Sequence, residues 1–319
     1  MKSYFLLLIP LAAALAADVP EPYKTVERVV FVVADADAAA AAWARTGLPV
    51  EKAVATKIRP AQGTPISVRL ASAFFEDATA DFIQPVSPGG PFSDFLKSKK
   101  GGVMALVHAF PNAAALDAEV SRLSGLAVRP LLDATWQRGS ESKRYVLMDT
   151  AAEGKYVLAL TTASERKPVS ASRRIVQYAF AAKSLDPISA YWAKLALPAF
   201  TYTHPDTTEL IYRGKPGQFD MRLGWQRHGK VTYEWIQPLR GPSTYYDHFE
   251  KHGEGFHHLA FNVDDMDSAI KEWSGFGFPF VMGGAWGEKG KPGSGRFAYH
   301  DLDKCCGAEV ELLWNYKAK

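Results

Sequence analysis

The residues best placed to do chemistry are two adjacent histidines. They lie in Gly253-Glu254-Gly255-Phe256-His257-His258-Leu259-Ala260-Phe261-Asn262-Val263-Asp264-Asp265. An imidazole near its ordinary pKa can ligate a metal or carry a proton. From His258 to Val263 polar or small residues alternate with large apolar ones: His258, Ala260 and Asn262 against Leu259, Phe261 and Val263. That period of two predicts a strand with one oily face. His258 then opens the face left free to line a cavity, and His257 falls on the opposite side. The only other soft ligands are Cys305 and Cys306, adjacent and without further cysteines. They supply no disulfide framework and lack the spacing of a zinc set. Two free thiols or a surface turn are expected rather than a strained vicinal disulfide.

Such a strand needs a partner for its oily face. Asp264 or Asp265 is a good N-cap, and Met266, Ala269, Ile270 and Trp273 form one helical stripe before Gly275. The same strand–helix order occurs repeatedly. In the first half strands are predicted at 26–33, 66–75, 79–86 and 103–110, with helices at 35–45 and 113–123. In the second half strands are predicted at 175–182, 210–212, 221–225, 233–239, 296–301 and 309–314, with a helix at 186–195. Phe82-Ile83-Gln84-Pro85-Val86 matches Trp235-Ile236-Gln237-Pro238-Leu239, and Asp94 and Gly102 fall opposite Asp247 and Gly255. All share one offset (235 − 82 = 153), so the chain is two homologous halves.

A chain of 319 residues and 35.0 kDa suits two domains. A net charge of +3, with no basic run interleaved with aromatics, gives no argument for nucleic acid. Lys2, the apolar run 4–15 and Ala14-Leu15-Ala16 predict a signal peptide over residues 1–17, too short to span a bilayer comfortably. The mature protein is then secreted or periplasmic, with no membrane span. The two domains are expected at 23–162 and 173–316, joined by a Ser-, Lys- and Arg-rich linker over 163–173.

The repeated βαβββ pattern, with residues 235–239 and 253–265, Gly295-Arg296-Phe297-Ala298-Tyr299 and Glu309-Val310-Glu311-Leu312, resembles the vicinal oxygen chelate superfamily. Locally it is most similar to the methylmalonyl-CoA epimerase group. The resemblance implies an α+β fold of tandem βαβββ units curled into open, cup-shaped mixed sheets. It also implies a divalent metal held by Gln177, Glu234, His258 and Glu311, a set similar to that of a glyoxalase I. Alternation agrees independently. Gln177 stands between Val176 and Tyr178, Glu234 between Tyr233 and Trp235, and Glu311 between Val310 and Leu312. Glu309 shares a strand face with Glu311 and competes with it for the role.

One imidazole, one amide and two carboxylates suit zinc, nickel, cobalt or manganese. With vicinal substrate oxygens on such a Lewis acid, a glutamate that swings off the metal can take the neighbouring proton, and the resemblance implies Glu311 first and Glu234 second in that role. The implied activity is isomerisation or epimerisation of a small molecule, as in a metal-dependent isomerase or lyase. A binding or sequestering protein is the alternative, with Trp225, Trp235, Tyr245, Tyr246 and Trp286 as candidate lining aromatics. A ring-cleaving dioxygenase relative is weaker, because Gln177 removes a histidine from the usual iron triad. The Gly- and Lys-rich stretch 286–296 reads as a lip over the cup, where Lys289, Lys291 and Arg296 meet either an anion or only solvent. The first half is expected to hold no metal. Arg28, Asp81, Ala105 and Ala159 fall at its four ligand positions, and Arg28 is expected to pair with Asp81. Oligomeric state is not encoded in any motif.

Overall fold

The computed structural model describes residues 19–138, 141–163 and 173–317. The predicted export segment and nearly all of the predicted linker lie outside them. In the first half the strands are β1 (Arg28–Val32), β2 (Val50–Pro60), β3 (Ile66–Phe74), β4 (Thr79–Pro85), β5 (Gly102–Phe110), β6 (Pro130–Arg138), β7 (Glu141–Met148) and β8 (Val157–Thr162). The helices are α1 (Ala36–Ala44), α2 (Pro91–Lys99), α3 (Ala113–Gly125) and the short α4 (Ala151–Gly154). Asp35 caps α1 by accepting from the Ala38 amide, and Asn112 caps α3 by accepting from Ala115.

The second half holds β9 (Gln177–Ala181), β10 (Thr201–Thr203), β11 (Thr207–Tyr212), β12 (Lys215–Pro216), β13 (Asp220–His228), β14 (Val231–Arg240), β15 (Gly255–Asn262), β16 (Phe280–Trp286), β17 (Gly295–Asp301) and β18 (Glu309–Asn315). Its helices are α5 (Asp186–Lys194), α6 (Thr244–His252), α7 (Met266–Gly275) and α8 (Asp303–Cys306). Asp265 caps α7 through the Ser268 amide, as the sequence predicts.

Both halves are curled mixed sheets, but they curl to different extents. The first closes into a barrel in the order β1-β4-β3-β2-β6-β7-β8-β5. The second stays open as β10-β13-β14-β9-β15-β18-β17-β16-β11-β12. The difference lies in one strand. In the first half β2 runs unbroken, pairing with β3 and then, from Ile58 to Pro60, with β6. In the second half the corresponding stretch breaks at His204-Pro205-Asp206. β10 stays with β13, and β11 crosses to β16. Proline has no amide hydrogen to give a ladder, so a break at Pro205 is where such a strand can part.

The barrel interior is filled by Phe92, Trp136, Tyr145, Leu147, Val107 and their neighbours. A single larger core runs between the two sheets and belongs to both halves. Trp43 of α1, Leu116 and Leu123 of α3, Trp192 of α5 and Trp273 of α7 all contribute to it. Phe75 stacks on Phe261 at 5.7 Å and Tyr156 on Trp192 at 4.7 Å, each pair crossing from one half to the other. No helix among the described residues is long and apolar enough to cross a membrane. Cys305 and Cys306, expected as free thiols or a surface turn, form a vicinal disulfide in α8, with Cys306 buried.

Candidate metal centre

Strand alternation places the candidate ligands as expected. Tyr178, Phe180, Tyr233, Trp235, Leu259, Phe261, Val310 and Leu312 all enter the core between the sheets. The residues between them turn the other way, into the concave side of the open sheet. There β9, β14, β15 and β18 lie side by side, with Ala179 opposite both Glu234 and His258, and Ala260 opposite both Gln177 and Glu311. The alanines leave the space into which the longer side chains reach.

Glu234, His258 and Glu311 offer ligand atoms that all lie within 4.8 Å of one another. His258 Nε2 is 3.4 Å from Glu234 Oε2 and 3.2 Å from Glu311 Oε2. These are ion-pair contacts without hydrogen-bond alignment. Gln177 Oε1, Glu234 Oε2, His258 Nε2 and Glu311 Oε2 are all sealed from solvent, and none makes a hydrogen bond. A buried polar atom without a partner costs about 1–3 kcal/mol. Three such atoms clustered within ligand reach, with the Gln177 amide on the same wall, are the donor set that a divalent cation satisfies, so the residues fit the implied metal.

The electrostatics agree. Burial alone would lower the His258 imidazole, but the Glu311 and Glu234 carboxylates outweigh it and raise its pKa to about 9. Burial, with Glu311 adding to it, raises Glu234. Glu309 does not join the cluster. Burial and Asp301 push its carboxyl up to about 8, and it faces a small polar cavity beside α6.

His257 is the main correction. It was expected on the opposite face, but the β15–β9 register shifts between Phe256 and His258, so His257 is an unpaired bulge residue. Its ring packs beside Tyr245, His248 and Tyr299, and its Nδ1 lies 2.9 Å from His258 Nδ1. The Tyr245 and Tyr299 hydroxyls hydrogen-bond at 3.0 Å. Tyr299 also lies edge-on to the His258 ring at 5.0 Å. Its place beside the site had no signal in the sequence beyond its strand position.

The cluster lies at the base of a cavity of about 560 Å³. Gln177, Glu234 and Glu311 line it, with Met221, Leu223, Trp225, Trp286, Phe297, Tyr245 and Tyr299 forming much of the wall. Of the expected aromatics, Trp225, Tyr245 and Trp286 are therefore in place. Trp235 is instead in the shared core, stacked on Phe180 at 4.3 Å, and Tyr246 lies outside. The lip lysines and arginine do not line the cavity. Lys289 pairs with Glu209 and Arg296 with Asp267, so Trp286 is the lip residue that does.

The first half is different at the same four positions. Arg28 lies opposite Val107, and Val107 opposite Ala159, as Gln177, Ala260 and Glu311 do in the second half. Val30 lies opposite Asp81 and Ala105, as Ala179 does opposite Glu234 and His258. The register thus confirms the repeat residue by residue. Arg28 Nη1 is 3.2 and 3.3 Å from the two oxygens of buried Asp81, which also accepts from Ser72 Oγ at 2.9 Å. Burial opposes the guanidinium charge, and Asp81 outweighs it and raises the pKa further.

No curated protein matches this chain in sequence. The model of the Glyoxalase/Bleomycin resistance protein/Dioxygenase superfamily matches residues 176–299. A mutant of 4-hydroxymandelate synthase from Streptomyces coelicolor is similar in structure over 93% of this chain and 94% of its own, at 16% identity and a TM-score of 0.63. A xylose isomerase-like TIM barrel/4-hydroxyphenylpyruvate dioxygenase fusion protein matches over 95% of this chain and 50% of its own, at 14% identity and a TM-score of 0.51. The second half thus carries the sequence of the Glyoxalase/Bleomycin resistance protein/Dioxygenase superfamily over residues 176–299, and the chain over nearly its whole length shares the fold of the 4-hydroxymandelate synthase structure.

Proposed function

We propose that the second half is a divalent-metal-dependent enzyme that removes and returns a proton next to a carbonyl, giving isomerisation or epimerisation. The observation supporting this is the buried, unpartnered set of Gln177, Glu234, His258 and Glu311 beside a cavity open to a small molecule. Zinc, nickel, cobalt or manganese held there supplies a Lewis acid for the substrate's oxygens. Glu311 or Glu234, swung away from the metal, would take the proton from carbon and give it back. The wall of Met221, Leu223, Trp225, Trp286 and Phe297 excludes water and takes an apolar substrate body. Arg227 is the one cationic side chain among the lining residues, so a compact substrate with vicinal oxygens fits better than a chain of phosphates. The apolar run over residues 4–15 supports an exported location.

Both structural neighbours carry names of enzymes acting on 4-hydroxyphenyl compounds. For a dioxygenase role here, Gln177 stands where an iron triad would want a second histidine. The aromatic wall supports a second reading, a sequestering protein that closes on an apolar ligand without reaction. Solvent deuterium separates the two. The metal-loaded protein is expected to exchange deuterium into the carbon next to the carbonyl of a true substrate, and the chelated protein is not. Tight binding of α-hydroxy, α-keto or dicarbonyl compounds without exchange establishes the sequestering role instead.

A further inference from the structure

We propose that His257 is a positioning residue that fixes the tautomer and ring orientation of His258, with Glu309 behind it. The inference deepens the metal-dependent reading and rests on it. The two Nδ1 atoms are 2.9 Å apart, and two lone pairs at that distance repel, so one nitrogen carries a proton. If His257 donated, a neutral His258 would have its own proton on Nε2 and no lone pair for a cation. If His258 donates, Nε2 is left free, aimed at Glu234 and Glu311.

A cation held on His258 Nε2 requires the second arrangement. The Nε2 of His257 lies toward the Glu309 carboxylate, at 3.8 Å, and both atoms are buried without a hydrogen bond. With the His258 proton on Nδ1, His257 Nδ1 is the acceptor and the His257 proton sits on Nε2, on the side of Glu309. Tyr245, Tyr299 and His248 pack around the ring and hold its plane. Groups that hold the far nitrogen of a metal-ligating histidine set both its orientation and its basicity.

The first half supplies an internal control. Its β5 strand shifts register at the same place, between the pairs Val30–Ala105 and Phe31–Val103, leaving Met104 as the bulge residue. Met104 is 153 positions before His257 and enters the barrel core. The bulge therefore belongs to the repeat. An imidazole occupies it only in the half where the next residue is His258 rather than Ala105.

Co²⁺ is the probe. Its affinity is measured by chelator competition in the full chain, with proton NMR of the paramagnetic protein. Wild type is expected to bind Co²⁺ and to show a shifted, slowly exchanging N–H signal from His258 Nδ1. His257→Leu is expected to lose about 10- to 100-fold in affinity and to lose the slow exchange. His257→Gln, whose amide oxygen can accept from Nδ1–H, restores both. Co²⁺ binding unchanged in folded His257→Leu overturns the positioning role while leaving the metal site standing. Wild type that binds Co²⁺ without the slow N–H signal also overturns it, whether or not the leucine variant folds. No Co²⁺ binding to wild type overturns the metal reading and this inference together.

Discussion

The two halves share a register at four positions and hold opposite chemistry there. In the second half Gln177, Glu234, His258 and Glu311 leave buried ligand atoms without partners around an open cavity. In the first, Arg28 pairs with Asp81, and Ala105 and Ala159 fill the remaining places inside a closed barrel. The guanidinium is a permanent internal cation and gives the carboxylate its counter-charge. The second half has no such residue, so its carboxylates share one imidazole. The comparison teaches that a duplicated site can be retired by supplying its missing charge from within. Closing the sheet with an unbroken β2 then removes access as well.

The contrast can be broken most completely at His258. His258→Ala is expected to abolish metal binding, read as metal per chain after dialysis. Ala105→His in the first half is expected to gain none, because Arg28 repels a second cation. A bound metal in that variant contradicts the account of the barrel. The next effect is on stability. Asp81→Ala leaves a buried arginine unpaired and is expected to cost about 3–5 kcal/mol in denaturant unfolding, with metal content unchanged. Replacing both partners, as Arg28→Met with Asp81→Leu, is expected to recover most of that loss.

The smallest effect separates the halves by pH. In protein kept with chelator, the His258 pKa is raised from 6.5 to about 9 by Glu311 and Glu234 despite burial. A raised pKa means that the folded state prefers the protonated form. The resulting stabilisation is fully present below pH 6.5 and is lost as pH rises through 9. The unfolding midpoint of the chelated protein should fall across that window, and His258→Ala should flatten the fall. A midpoint with equal slope in both proteins contradicts the assignment.

Much of this was legible in the sequence because strand alternation is local. Tyr178, Tyr233, Leu259 and Val310 announce the buried face, and alternation agrees with the four ligand positions that the family resemblance implies. The fold followed from the family resemblance, and the repeat and the Arg28–Asp81 pair from the common offset between the halves. Other features did not. Helix α6 was missed because its buried face is Tyr245, His248 and His252, which hydrophobic periodicity does not register. The place of His257 was misread because a bulge leaves no mark in a pattern that assumes an unbroken ladder. Closure of the barrel depends on β2 meeting β6, a long-range pairing on which strand alternation is silent.

The core shared between the halves has a consequence for how such a chain can change over generations. Phe75 stacks on Phe261, Tyr156 on Trp192, and Trp43 meets Trp273 edge-on at 6.4 Å. Deleting the first half would leave Phe261, Trp192 and Trp273 facing water at once, an apolar surface that invites aggregation. With this packing, a duplication is a one-way step. The copy without the ligand set became indispensable to the other through its outer face while its interior was released to drift. Selection should hold Trp43, Phe75 and Tyr156 more firmly than Ala105 or Ala159, and a descendant returning to a single copy must first acquire polar residues across that aromatic layer.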